Sequence, residues 1–212
     1  MFVAAGFVAA AIVAGVALAR TSAPKIGTGV VVINTALGFQ QASAAGTGMV
    51  LTSSGEILTN NHVIRGATTV RIVIPGTSHK YTAKVVGYDV ADDVAVLKAV
   101  GASNLKTVST AASAAVRLGN RVTAVGNANG GGRLISARGT VTGLNKSIVV
   151  SDDSGGSESL TGLIETNANL QPGDSGGPLL NSSGKVIGMT SGPNIFGSAP
   201  LPSCSASRPR SR

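Results

Sequence analysis

An all-β fold is what this sequence predicts, and three observations predict it. Short runs rich in Val, Ile and Thr recur along the chain, separated by Gly, Pro, Asn and Ser. No helical period is sustained between them. Glycine reaches 29 of 212 residues without a fixed repeat, as tight turns between many strands require. The pattern is that of a sandwich or a barrel. Hydrophobic residues are 43% and aromatic residues 3%, with no Trp, so the core must be Val, Ile, Leu and Ala.

The strand candidates follow in order. Val30 to Asn34 is a β-rich run. Gly46 to Thr52 and Ile57 to Thr59 read as a hairpin turned at Ser53-Ser54-Gly55. Val70 to Ile74 is a strand ended by Pro75-Gly76, and Tyr81 to Tyr88 and Val94 to Val100 follow. Ser109 to Ala115 is small and polar, a link between two halves. Arg121 to Val125, a glycine loop at 130–132, Ser136 to Thr142, Leu160 to Thr166, Leu179-Leu180 and Lys185 to Thr190 complete the set. The expected domains are a first barrel over 25–110 and a second over 111–199.

The two ends differ from this body. Met1 to Ala19 is apolar or glycine throughout and ends in Ala17-Leu18-Ala19, an A-x-A pattern. It reads as a signal peptide or N-terminal membrane anchor, joined to the barrel by a linker, so 1–24 is set apart. It lacks a Lys/Arg n-region. Either reading places the rest outside the cytoplasm, with membrane contact only through this segment. From Pro200 onward the chain is rich in Pro, Ser and Arg, and 200–212 is expected to be a disordered basic tail.

Cys204 is the only cysteine, which excludes an intrachain disulfide and a cysteine zinc site. The net charge is +8, with Arg208, Arg210 and Arg212 in the last five residues. Single-stranded nucleic acid favours aromatics among basic residues, and these are scarce, so no nucleic acid is expected as partner.

The chemistry centres on Pro172-Gly173-Asp174-Ser175-Gly176-Gly177-Pro178. A serine hydroxyl is a weak nucleophile until a base takes its proton. Of the two histidines, His79 follows a Pro-Gly turn beside Lys80 and reads as solvated; His62 follows a predicted strand and is the candidate base. The candidate acid is Asp93, which adjoins the apolar strand from Val94. Asp92 and Asp89 are alternatives. Asp174, next to the nucleophile, cannot readily reach the far nitrogen of the base. A turn through Gly173-Asp174-Ser175 can aim the Gly173 and Ser175 amides at one oxyanion.

Thr59-Asn60-Asn61-His62-Val63-Ile64, Asp93 to Lys98 and Pro172 to Leu179, in that order, resemble the trypsin-like serine proteases of the HtrA/Deg type. Gly46-Thr47-Gly48-Met49-Val50-Leu51 and Gly184 to Met189 resemble family segments before the His and after the Ser. The resemblance covers about residues 28–192. Ile164 to Gln171 is similar to the mycobacterial-like members. The resemblance implies two chymotrypsin-like six-stranded β-barrels with His62 and Asp93 from the first and Ser175 from the second. It implies endopeptidase cleavage of unfolded or damaged envelope proteins, through an acyl-enzyme, with no metal or organic cofactor. Family members usually form trimers, so a homotrimer acting on polypeptide substrates is implied.

Two departures bear on this. No room is left for a PDZ domain after residue 192, and Ser191 to Pro200 fits poorly with the family's last barrel strand. The second barrel is therefore expected to be incomplete, and the alternative function is a truncated, weakly active or inactive homologue that binds polypeptides. The substrate pocket is expected near Asn169, Thr190, Ser191 and Gly192. No acidic residue is among them, which predicts a small or medium apolar P1 residue.

Overall fold

The computed structural model describes residues 26–37, 42–151, 157–191 and 204–207. The first ring comprises β1 (Val30–Leu37), β2 (Ala42–Val50), β3 (Glu56–Thr59), β4 (Thr69–Val73), β5 (Lys80–Asp89) and β6 (Val94–Ala99). It closes in the order β1-β2-β3-β6-β5-β4, antiparallel throughout. A single helical turn, α1 (Asn61–Ile64), follows β3. The second ring comprises β7 (Arg121–Gly126), β8 (Ile135–Ser151), β9 (Ser157–Thr166), β10 (Pro178–Asn181), β11 (Val186–Ser191) and β12 (Cys204–Ser207), closed in the order β10-β11-β12-β9-β8-β7.

Period-two patterning explains the strands. In β6, Ala95, Leu97 and Ala99 are buried while Val94, Val96 and Lys98 are half-buried, because successive side chains point to opposite faces. β1 opens with four consecutive buried residues, Val30 to Ile33. A strand reads as a continuous apolar run when both its faces are covered. Val31 and Ile33 pack in the first ring's core, with Ile57, Ile72 and Leu97. Val30 instead joins Met49 from β2 in a cluster with Val125, Leu180, Val186 and Met189. That cluster is the apolar seam between the rings. The second ring has its own core around Val122, Val141, Ile164, Leu179 and Ile187.

Three features depart from the sequence reading. The tail expected to be disordered contributes β12, whose Cys204 to Ser207 pair with β11 and β9. Pro200, Pro202 and Pro209 fall outside these four residues, so no ladder donor is lost within them. The last strand expected to be missing is thus represented, but by only three register pairs on each side. β8 runs well past Thr142, tolerating three register shifts against β9, and bulges of this kind leave no alternating pattern to read. The N-terminal segment 1–24 and the remainder of the tail lie outside the described residues. Among the described residues, no helix is long and apolar enough to cross a membrane.

Candidate active site

The end of β3 and the turn before β6 lie side by side, because β3 pairs with β6 in register up to Thr59 and Ala95. This brings His62, on α1, to Asp93. The His62 ring donates from Nδ1 to Asp93 Oδ2 at 2.7 Å, and the His62 backbone N–H donates to Asp93 Oδ1 at 2.9 Å. One carboxylate thus fixes both the ring and the backbone that carries it. With Nδ1 bearing the proton, Nε2 is left with a free lone pair.

Asp93 is itself held tightly. Its φ is 51°, in the left-handed region that Asp and Asn tolerate better than most residues. Its N–H donates to the Val90 carbonyl at 3.1 Å. Its carbonyl accepts from the Asn61 N–H at 3.2 Å and from Asn60 Nδ2 at 2.9 Å. Asp93 is 3% exposed, whereas Asp92 and Asp89 are exposed and bonded to one another, Asp92 N–H to Asp89 Oδ1. His79 is exposed in its turn.

Ser175 lies in the loop before β10 and is 8% exposed. The loop is closed on itself: Asp174 Oδ2 accepts from the Gln171 N–H at 2.8 Å, and the Asp174 N–H returns to the Gln171 carbonyl at 3.1 Å. It is also tied across the seam, where the Ser175 carbonyl accepts from the Thr47 N–H at 2.9 Å. Gly176, at φ 84°, lies so close to β2 and β3 that a Cβ there would run into the Thr47 carbonyl and the Thr59 hydroxyl. The Pro172 carbonyl is turned onto the Asn129 N–H at 2.5 Å. In the trans peptide that follows, the Gly173 N–H points the opposite way, and it meets no acceptor among the described residues.

Asp174 does not reach His62. Its carboxylate packs against Gly126, its Oδ1 has no hydrogen-bond partner among the described residues, and burial pushes its pKa up from the usual 3.8 despite the Gln171 N–H.

The expected pocket residues divide. Asn169 is exposed, its Oδ1 accepting from Gln171 Nε2. Thr190 uses its side chain internally. It is fully buried, and its hydroxyl lies against the Asp174 and Gly177 carbonyls, at 2.6 and 3.0 Å, beneath the serine loop. Ser191 is buried and its Oγ points to Asp93 Oδ2 at 3.4 Å. Gly192 lies outside the described residues. Thr47, Asn127 and Asn129 carry no chemistry that sequence could flag, yet they surround the serine loop. Among the described residues no three His, Cys, Asp or Glu side chains are grouped to ligate a metal ion.

Residues 46–189 match the family model of the trypsin-like peptidase domain. The chain is 38% identical over 146 residues to Protease Do-like 1, chloroplastic, of Arabidopsis thaliana, covering 68% of this chain and 32% of that protein. It is 33% identical over 180 residues to the serine protease PepD of Mycobacterium tuberculosis, covering 80% of this chain and 38% of PepD. It is 32% identical over 151 residues to the periplasmic serine endoprotease DegP of Escherichia coli, covering 71% of this chain and 30% of DegP. The chain therefore spans about a third of the length of these relatives. Among solved structures, the HtrA-type protease AlgW with tripeptide superposes with a TM-score of 0.72 at 27% identity, covering 86% of this chain and 56% of that one. The active form of the Rv3671c protease from M. tuberculosis gives 0.71 at 26% identity, covering 86% and 77%.

Proposed function

The chain belongs to the trypsin-like peptidases of the HtrA type, and on that premise we propose that it is a serine endopeptidase with His62, Asp93 and Ser175 as base, orienting acid and nucleophile. The observation that carries this is the Asp93 carboxylate accepting from both the ring and the backbone N–H of His62. Asp93 holds the tautomer in which Nε2 is free to take the Ser175 proton, and it stabilises the imidazolium that results. Ser175 Oγ then attacks the scissile carbonyl. The oxyanion is received by the Gly173 and Ser175 N–H groups, a role supported by the turned-out Gly173 amide. His62 gives its proton to the leaving amine, and water repeats the sequence on the acyl-enzyme.

The substrates are polypeptides. The apolar stretch at 1–19 and the periplasmic location of DegP support an extracytoplasmic site of action on unfolded or damaged envelope proteins. Exogenous protease added to intact cells tests the location: digestion of the domain agrees with it, and protection until lysis rejects it. A homotrimer is the assembly this reading carries, and a monomeric mass in solution would remove it. The residues expected at the pocket carry no carboxylate, which supports small or medium apolar P1 residues. A peptide-library profile dominated by Lys or Arg at P1 would reject that preference.

One observation favours a second reading, polypeptide binding without efficient cleavage: the second ring closes on only four residues of β12. Labelling the full chain with a fluorophosphonate, followed by intact mass, separates the two. One adduct on the wild type and none on Ser175→Ala supports the protease. No adduct on folded wild type supports the second reading.

A further inference from the structure

Thr47, in β2 of the first ring, uses every polar group it has on the machinery around Ser175. It is fully buried. Its N–H donates to the Ser175 carbonyl at 2.9 Å. Its hydroxyl donates to the Gly173 carbonyl at 2.6 Å and accepts from the Asn127 N–H at 2.9 Å. Its carbonyl accepts from the Thr59 hydroxyl at 2.7 Å, two residues before α1 begins and three before His62. These partners belong to three separate stretches of chain: the serine loop, the segment after β7, and the strand that leads to His62.

We infer that Thr47 is a positioning residue that sets the oxyanion-binding amide and the nucleophile against His62 across the seam between the rings. The inference rests on the protease reading and specifies which bonds hold its parts in register. The Thr47 hydroxyl fixes the Gly173 carbonyl, on the peptide next to the one that carries the Gly173 N–H. The same hydroxyl fixes the Asn127 N–H, at the start of the turn whose Asn129 N–H holds the Pro172 carbonyl. Both peptides flanking Gly173 therefore depend on this one oxygen, one directly and one through the Asn127–Asn129 turn. Thr59 carries the constraint on toward His62. Replacing the hydroxyl by a methyl of similar size leaves the Gly173 carbonyl and the Asn127 N–H unpaired in a buried site, and small displacements of reacting groups lower rates steeply.

The test compares wild type, Thr47→Val and Thr47→Ser as full chains. The readouts are the second-order rate constant for fluorophosphonate labelling across pH, and Tm. Thr47→Val is expected to label at least tenfold more slowly at every pH while remaining folded, with the midpoint of the pH–rate curve unmoved. Among the described residues Thr47 makes no hydrogen bond to His62 or Asp93, so the pH dependence should stay as in the wild type. Thr47→Ser keeps the hydroxyl and is expected to recover most of the rate. Labelling of folded Thr47→Val at the wild-type rate overturns the inference, as does a slow rate that Ser does not restore. Should Thr47→Val fail to fold, Thr47→Cys takes its place, its thiol being a weaker donor of similar size; a Cys rate equal to the Ser rate then overturns it. Failure of the protease reading has a different signature, namely wild type that does not label or labels equally as Ser175→Ala.

Discussion

The two rings solve the same closure problem differently. The first is self-contained within Val30 to Ala99, and its closing pair, β1 with β4, holds five residues in register. The second spans Arg121 to Ser207, carries a long β8–β9 hairpin with three register shifts, and closes through β12 with three pairs on each neighbour. The proposed catalytic parts follow this division. His62 and Asp93 both sit on the well-closed ring, bonded directly to one another. Ser175 sits on the other, in a loop that borrows its anchorage from Thr47 of the first. The lesson is that a pair fixing a tautomer needs a rigid frame, whereas a nucleophile loop on a weaker frame can be registered by bonds across the seam.

Four perturbations break or sharpen that contrast. The largest effect is expected at Ser175→Ala, which removes the nucleophile and should lower peptide hydrolysis by roughly 10⁶-fold with Tm unchanged; undiminished hydrolysis would take Ser175 out of the mechanism. Asp93→Asn keeps a residue type suited to φ 51° but offers an amide where the imidazole needs a carboxylate. Hydrolysis should fall about 10⁴-fold, and a loss under tenfold would mean that the first ring's rigidity alone orients His62.

Ala206→Pro tests the closure of the second ring. It removes a ladder donor from the strand between β11 and β9. Hydrogen exchange should rise across β9 to β12 first, leaving β1 to β6 protected. Equal exposure of both rings would show that they unfold as one unit.

The smallest effect is expected at Asp174→Asn. Burial raises the pKa of Asp174 above the usual 3.8, so its ionisation opposes folding. The native state loses stability as pH rises through that raised value and keeps it below the unfolded one. The Asn variant escapes this loss, so its Tm should exceed the wild type's at pH 7, and the difference should vanish near pH 3. A difference independent of pH would assign the effect to packing against Gly126 instead.

Much of this was legible in the chain. Period-two runs and turn residues marked eleven of the twelve strands among the described residues, since strand alternation is a local pattern. His62, Asp93 and Ser175 stood out because reactive side chains are few here and each sits beside a strand or in a glycine turn. β12 was hidden because Cys204 to Ser207 carry no β-branched or aromatic residue and lie in a Pro-, Ser- and Arg-rich stretch, and their pairing rests on backbone groups that every residue carries.

The sequence by itself determined which side chains can do chemistry and that the frame is built of strands, because composition and short periods act over a few residues. The tertiary structure alone decided how those parts are held. Thr47 meets Gly173 across 126 positions and Asn127 across 80, and Ser191 reaches Asp93 across 98. The Thr190 hydroxyl likewise meets the Asp174 and Gly177 carbonyls, 16 and 13 positions away. A hydroxyl's partner is set by what the closed rings bring within about 3 Å of it, and no local pattern encodes that distance.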